Sequence, residues 1–175
     1  MTVKKADGET YLQPYDELVL STGSSPVRPP IPGIDSPRVR TLWTVPDADA
    51  IREEVTERNA KRAVVIGGGF IGLEAAEAFS KRGISTTVVE LTDQIMPPAD
   101  PEFGTQIAEG LAEHGVATIT GKSVVGIDWD SRTVTLSDGR TIPADLVLLA
   151  VGVRPNLDLA KQAGLAIGSA NGLVV

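Results

Sequence analysis

Gly67, Gly68, Gly69 and Gly72 stand in the run VVIGGGFIG, and Glu90 closes the stretch that follows. Their spacing is G-x-G-x-x-G, with an acid downstream. Glycines so placed do recognition chemistry on a dinucleotide. Gly67 permits a tight turn, Gly69 lets the backbone approach a pyrophosphate, and Gly72 lets a helix pack closely on a strand. A helix start at this point offers free N–H groups and a positive dipole end to phosphate. The carboxylate of Glu90 can accept hydrogen bonds from ribose hydroxyls.

The surrounding sequence supplies the elements that must hold these residues. Ala63-Val64-Val65-Ile66 is a short apolar, β-branched run and reads as a buried strand. A helix pattern opens at the glycines and ends at Lys81-Arg82-Gly83. A second strand runs from Thr86 to Val89. Glu90 also bears on which dinucleotide binds. It would repel a 2′-phosphate, and Leu91, Thr92, Asp93 and Gln94 offer no Arg or Lys to compensate. NAD(H) is therefore expected over NADP(H).

Composition excludes several classes. The 175 residues are 42% hydrophobic and 22% charged, as in an ordinary globular protein. A net charge of −7 argues against nucleic acid and anionic membrane as partners. No apolar run is long enough to cross a bilayer, and MTVKKADGET lacks the apolar core of a signal peptide, so a cytoplasmic setting is expected. With no Cys there is no disulfide, thiolate nucleophile or Cys-ligated metal, and no metal site is expected. The single histidine, His114, reads as a helix-terminal surface residue before Gly115.

Along the chain, residues 2–13 read as a hairpin, and Tyr15 to Leu20 as a buried strand ending in Ser21-Thr22-Gly23. Pro26, Pro29, Pro30 and Pro32 make a stiff extended segment and the best boundary. Asp47 to Lys61 has helix composition, and Asp100 to His114 a helix with Phe103, Ile107 and Leu111 on one face. Val116 to Thr120, Ser123 to Trp129 and Thr133 to Leu136 read as strands, and Leu146 to Val151 as a fully apolar one. Thr2 to Pro26 and Thr133 to Pro155 share an order: T-V, D-G, T, P-x-D, apolar strand, Gly, Pro. Asp16–Pro26 aligns without a gap on Asp145–Pro155. Duplication of a mononucleotide-binding unit explains this, the first copy being present only as its tail. Two such units suggest two dinucleotides, an NAD and a tightly bound flavin.

VVIGGGFIGLEAAEAF, VVE, the Met96-Pro97 segment, SDGRTIPADLVLLAVGVRPN and YDELVLSTGSSP resemble the FAD-dependent pyridine nucleotide-disulfide oxidoreductases. The likeness is greatest to the NADH oxidase, NADH peroxidase and coenzyme A-disulfide reductase group. It implies an α/β fold, a Rossmann-like parallel sheet flanked by helices, with a three-stranded antiparallel β-meander over Ser123 to Pro143. It implies that residues 1–36 are the C-terminal remnant of a flavin-binding domain and a crossover. Residues 37–155 would be the NAD(H)-binding domain, and 156–175 a return segment. The flavin fingerprint, the redox-active Cys and a homodimerisation domain would lie outside these residues, so FAD would not be held by this chain alone.

By the same resemblance, Gly67, Gly68, Gly69 and Gly72 hold the pyrophosphate region of NAD, with Phe70 and Ile71 over the cofactor and Glu90 on the adenosine ribose. Val151 and Gly152 approach the nicotinamide side. Glu74 matches a family Glu near nicotinamide and flavin, although a first-turn Glu facing the helix dipole fits nearly as well. Thr22 and Gly23 would touch FAD in the intact parent. The implied reaction passes hydride from NADH to FAD and on to oxygen, peroxide or a disulfide such as coenzyme A disulfide. Ferredoxin or rubredoxin reduction is one alternative, and a stand-alone NAD-sensing module another. The isolated chain is expected to bind NADH and to catalyse nothing.

Overall fold

The computed structural model describes residues 1–169 and 171–174. The chain forms β1 (Thr2–Lys4), β2 (Thr10–Leu12), β3 (Ser24–Pro26), β4 (Val39–Thr41), α1 (Val45–Thr56) and β5 (Arg62–Ile66). Next come α2 (Phe70–Ser80), β6 (Ser85–Val89), α3 (Pro101–Glu113), β7 (Val116–Ile119) and β8 (Val124–Asp128). The last are β9 (Thr133–Leu136), β10 (Thr141–Pro143), β11 (Leu146–Leu149), β12 (Val153–Pro155) and α4 (Asp158–Gln162). Two compact units result, residues 25–154 and a smaller one of residues 1–24 with 155–175.

The larger unit has three layers. Its centre is a five-stranded sheet in the order β4-β11-β5-β6-β7, every neighbour parallel. Strands β5, β6 and β7 are joined through α2 and α3, the crossover that parallel pairing demands. Alternation sorts each central strand between two cores. Ala63, Val65, Leu146 and Leu148 face the helices with Leu73, Ala76, Phe79 and Ile107. Val64, Ile66, Val147 and Leu149 face the other way, onto Val134 and Leu136 of the antiparallel sheet β10-β9-β8. Burial on both faces is why these strands read as continuous apolar runs. The expected parallel sheet, helices and meander are all present.

In the smaller unit β1 and β2 form the expected hairpin, Thr2 opposite Leu12. Thr22 Oγ1 donates to the Asn156 carbonyl at 2.6 Å, and Asn156 Nδ2 to the Thr22 carbonyl at 3.0 Å.

Four expectations are corrected. Tyr15 to Leu20 forms no strand and is not buried, with Val19 87% exposed. Among the described residues no neighbouring strand takes up its backbone groups. Strand β11 stops at Leu149, because Gly152 turns the chain with φ +95°. Phe103 is 58% exposed. Gly104 instead faces inward, since a side chain there would meet the Ile95 carbonyl at 2.8 Å, and Ile107, Ala108 and Leu111 continue that face. Helix α1 starts before Asp47, at Val45, because Thr44 and Asp47 form a capping box, and it ends at Thr56, short of Lys61, with Asn59 beyond it at φ +54°.

Candidate functional site

A cleft of about 750 Å³ opens where the parallel strands end. Thr41 of β4, Ile66 of β5, Val89 of β6 and Leu149 of β11 all line it. Ligands of open α/β sheets bind at this end, where the strand order reverses. Here the reversal falls between β5, which leads outward to β6 and β7, and β11, which leads to β4.

The glycine turn forms the floor. Gly67 has φ +107°, and a Cβ on it would lie 2.4 Å from the Ala150 carbonyl, so both its conformation and its packing require glycine. A Cβ on Gly72 would lie 2.0 Å from the Gly67 carbonyl and 3.2 Å from Val65, as expected of a helix seated closely on its strand. Gly69 differs: its Cβ would meet nothing within 4 Å, and its φ is −85°. It caps α2 with no side-chain hydrogen bond. First-turn N–H groups of α2 are thus left to an outside acceptor, and the backbone at Gly69 is open to one. A pyrophosphate fits this arrangement of donors and open space.

Glu90 lines the cleft but is only 7% exposed. Its Oε2 accepts from the Gly68 N–H at 2.7 Å. Its Oε1 accepts from the Thr92 N–H at 2.8 Å and from Thr92 Oγ1 at 2.9 Å. Met96, at φ +53°, donates its N–H to the Gly68 carbonyl at 2.8 Å. Both amide groups of Gly68 are thereby tied to β6 and the segment after it. Gly68 therefore serves the shape of the turn, and its N–H is already committed to Glu90. A carboxylate has about four acceptor sites, so Glu90 keeps capacity for a ribose hydroxyl.

The other expected residues separate. Phe70, Ile71, Val151 and Gly152 all line the cleft and are exposed. Glu74 is exposed on α2 and does not line the cleft, and because the helix starts at Phe70 it lies beyond the expected first turn. Thr22 and Gly23 lie in the smaller unit, where the Gly23 carbonyl accepts the Asn156 N–H at 2.9 Å. His114 ends α3, with Nδ1 2.7 Å from the Gly110 carbonyl. Among the described residues no three His, Cys, Asp or Glu side chains gather as metal ligands, and no helix is long and apolar enough to cross a membrane.

Thr41, Trp43, Pro97, Pro98 and Lys122 also line the cleft, and nothing in the sequence marks them as site residues. Strand β4 has three residues, too few for a periodicity signal. Lys122 reaches the wall only through the pairing of β7 beside β6.

At the other end of the sheet, Asp145 fixes the start of β11 to the start of β5. It accepts from Arg62 Nη2 at 2.7 Å and Nε at 3.1 Å, and from the Lys61 and Arg62 N–H groups at 3.2 and 3.1 Å. The Arg62 hydrogen bond leads in lowering its pKa to about 2; burial opposes this, and the two N–H groups assist.

Comparison with known proteins agrees with this geometry. The family description "Pyridine nucleotide-disulphide oxidoreductase" matches residues 1–175. The NADH oxidase of Methanocaldococcus jannaschii is 37% identical over 164 residues, covering 93% of this chain and 37% of that protein. The rubredoxin-NAD(+) reductase of Acinetobacter baylyi is 34% identical, covering 91% of this chain and 42% of that protein. Reduced CoADR-RHD of Bacillus anthracis superposes with a TM-score of 0.92 at 41% identity, covering 97% of this chain and 31% of that one. The chain thus spans about a third to two fifths of these relatives. It belongs to the pyridine nucleotide-disulphide oxidoreductase family.

Proposed function

We propose that the cleft binds NADH and orients its nicotinamide for hydride transfer to a flavin in the parent oxidoreductase. The observation that carries this is the open backbone at Gly69, at the uncapped start of α2. First-turn N–H groups of α2 bind the pyrophosphate, and Glu90 both fixes the Gly68 turn and accepts a ribose hydroxyl. Phe70, Ile71, Val151 and Gly152, all lining the cleft, shield the cofactor from water. When bound, NADH supplies the hydride and the flavin accepts it; these residues contribute binding and orientation.

In the parent, residues 1–36 and 156–175 belong to the flavin domain, and Thr22 and Gly23 to its flavin contacts. The parent is a homodimer, and the setting is cytoplasmic. The acceptor after the flavin is oxygen, peroxide or a disulfide such as coenzyme A disulfide. Rubredoxin or ferredoxin is the second reading, favoured by the name of the Acinetobacter baylyi relative. That both relatives are named as oxidoreductases supports an enzyme over a sensing module.

Titration with NADH, NADPH and FAD tests the reading, with Trp43 in the cleft wall as fluorescent reporter. NADH should bind. Gly69→Ala should weaken it about tenfold or more, at an unchanged melting temperature, because the methyl meets no protein atom but stands where the phosphate approaches. FAD binding without NADH binding would overturn the assignment.

A further inference from the structure

The residues directly after Glu90 carry no cation, yet the fold brings one to Glu90 from elsewhere. Lys122 lies just beyond β7, and its N–H donates to the Glu90 carbonyl at 3.2 Å. The neighbouring Gly121 N–H donates to the Thr92 carbonyl at 2.8 Å. This turn is therefore stitched alongside Glu90 and Thr92, and Lys122 lines the same cleft as both.

The charges there are unequally held. Glu90 is buried and accepts three hydrogen bonds from Gly68 and Thr92, which hold its carboxylate in place. Among the described residues the Lys122 ammonium has one ion-pair partner, Asp138, at the long distance of 3.8 Å. Asp138 is held more closely by Arg140, whose Nε and Nη2 both lie 2.9 Å from it. Lys122 can thus leave Asp138 without stranding a carboxylate. Asp93, whose Oδ1 approaches Gly121, does not line the cleft. The rim beside the ribose-binding acid therefore presents a cation held only by a long contact, next to a carboxylate whose two oxygens are both hydrogen-bonded within the protein.

We propose that Lys122 forms a 2′-phosphate subsite, so that the cleft accepts NADPH as well as NADH. This rests on reading the cleft as a dinucleotide site. An ammonium on a flexible stem suits phosphate as a point charge, and a charge-assisted contact there acts on NADPH alone. Asp138 is its competitor, and sets how much of the ammonium is available.

The test is the ratio of the NADPH and NADH dissociation constants, measured by Trp43 fluorescence on the wild-type chain and three variants. Lys122→Gln should raise the ratio about tenfold, and Lys122→Arg should leave it within about twofold. Asp138→Asn should lower it about threefold by releasing Lys122. The wild-type ratio should rise with salt, and that dependence should flatten in Lys122→Gln. An unchanged ratio in Lys122→Gln, with NADH still bound, would sink the subsite and leave the dinucleotide reading standing. Failure of the wild-type chain to bind either nucleotide would remove both.

Discussion

Asp16–Pro26 and Asp145–Pro155 align residue for residue, and the structure treats their halves differently. In the second copy Leu146–Leu149 is a central strand, paired with β4 on one side and β5 on the other. In the first, Glu17–Leu20 pairs with no strand among the described residues, and Val19, the counterpart of buried Leu148, faces solvent. Beyond these segments the copies agree. Gly23 and Gly152 both have positive φ, +66° and +95°. Each leads into a three-residue strand, β3 at Ser24–Pro26 and β12 at Val153–Pro155. A glycine turn is local and is specified within a few residues. A buried parallel strand is not: its backbone groups need partners on both edges and its side chains need a layer on both faces.

That contrast can be broken most directly at Leu148 and Val19. Leu148 is fully buried between layers, so Leu148→Ala should cost about 3–4 kcal/mol in urea unfolding. Val19→Ala should stay within about 0.5 kcal/mol. Similar losses at both sites would mean that the first copy is packed in solution.

The paired aspartates offer a smaller effect with a pH signature. Asp145→Asn should cost about 1–3 kcal/mol, because a carboxylate with hydrogen bonds from Arg62 and two backbone N–H groups is lost. Exposed Asp16, changed to Asn, should cost less than about 0.5 kcal/mol. The pKa of Asp145 is depressed to about 2 from 3.8. Its contribution is therefore complete above about pH 4 and lost as pH falls toward 2, on the order of 1 kcal/mol once solvent screening is counted. Unfolding free energies measured between pH 2 and pH 6 should fall with pH less steeply in Asp145→Asn than in the wild type.

The same division between local and distant interactions governs what could be read from the sequence. The glycine turn, its flanking strands and the first two strands of the meander were legible, because turn residues, β-branched runs and alternation act over short windows, whereas the three-residue third strand came only with the family resemblance. Gly67 and Gly72 are constrained as their spacing requires. The deeper role of Glu90 was not legible: that its carboxylate holds Gly68 depends on β6 lying beside β5 in register, Val89 opposite Ile66. Lys122 and Trp43 were invisible as cleft residues for the same reason. Phe103 shows the converse error. Its spacing with Ile107 and Leu111 suggested an apolar face, but the close approach of Gly104 to Ile95 turns the helix away from it.

The glycines provide the finest test, at a place where the two copies agree. A Cβ added to either Gly23 or Gly152 would have no atom within 4 Å, so alanine meets no steric barrier at either. What remains is conformational. A left-handed alanine costs roughly 1–2 kcal/mol, and the gain from restricting the unfolded chain returns about 0.4–1 kcal/mol. Gly23→Ala and Gly152→Ala should therefore be similar, each costing about 1 kcal/mol. Gly152 carries a further load in the larger unit, since its carbonyl accepts the Val27 N–H at 3.0 Å. If Gly152→Ala costs clearly more than Gly23→Ala, and also weakens NADH, the second turn is shaped for the cleft wall. Equal costs would make both turns purely local devices.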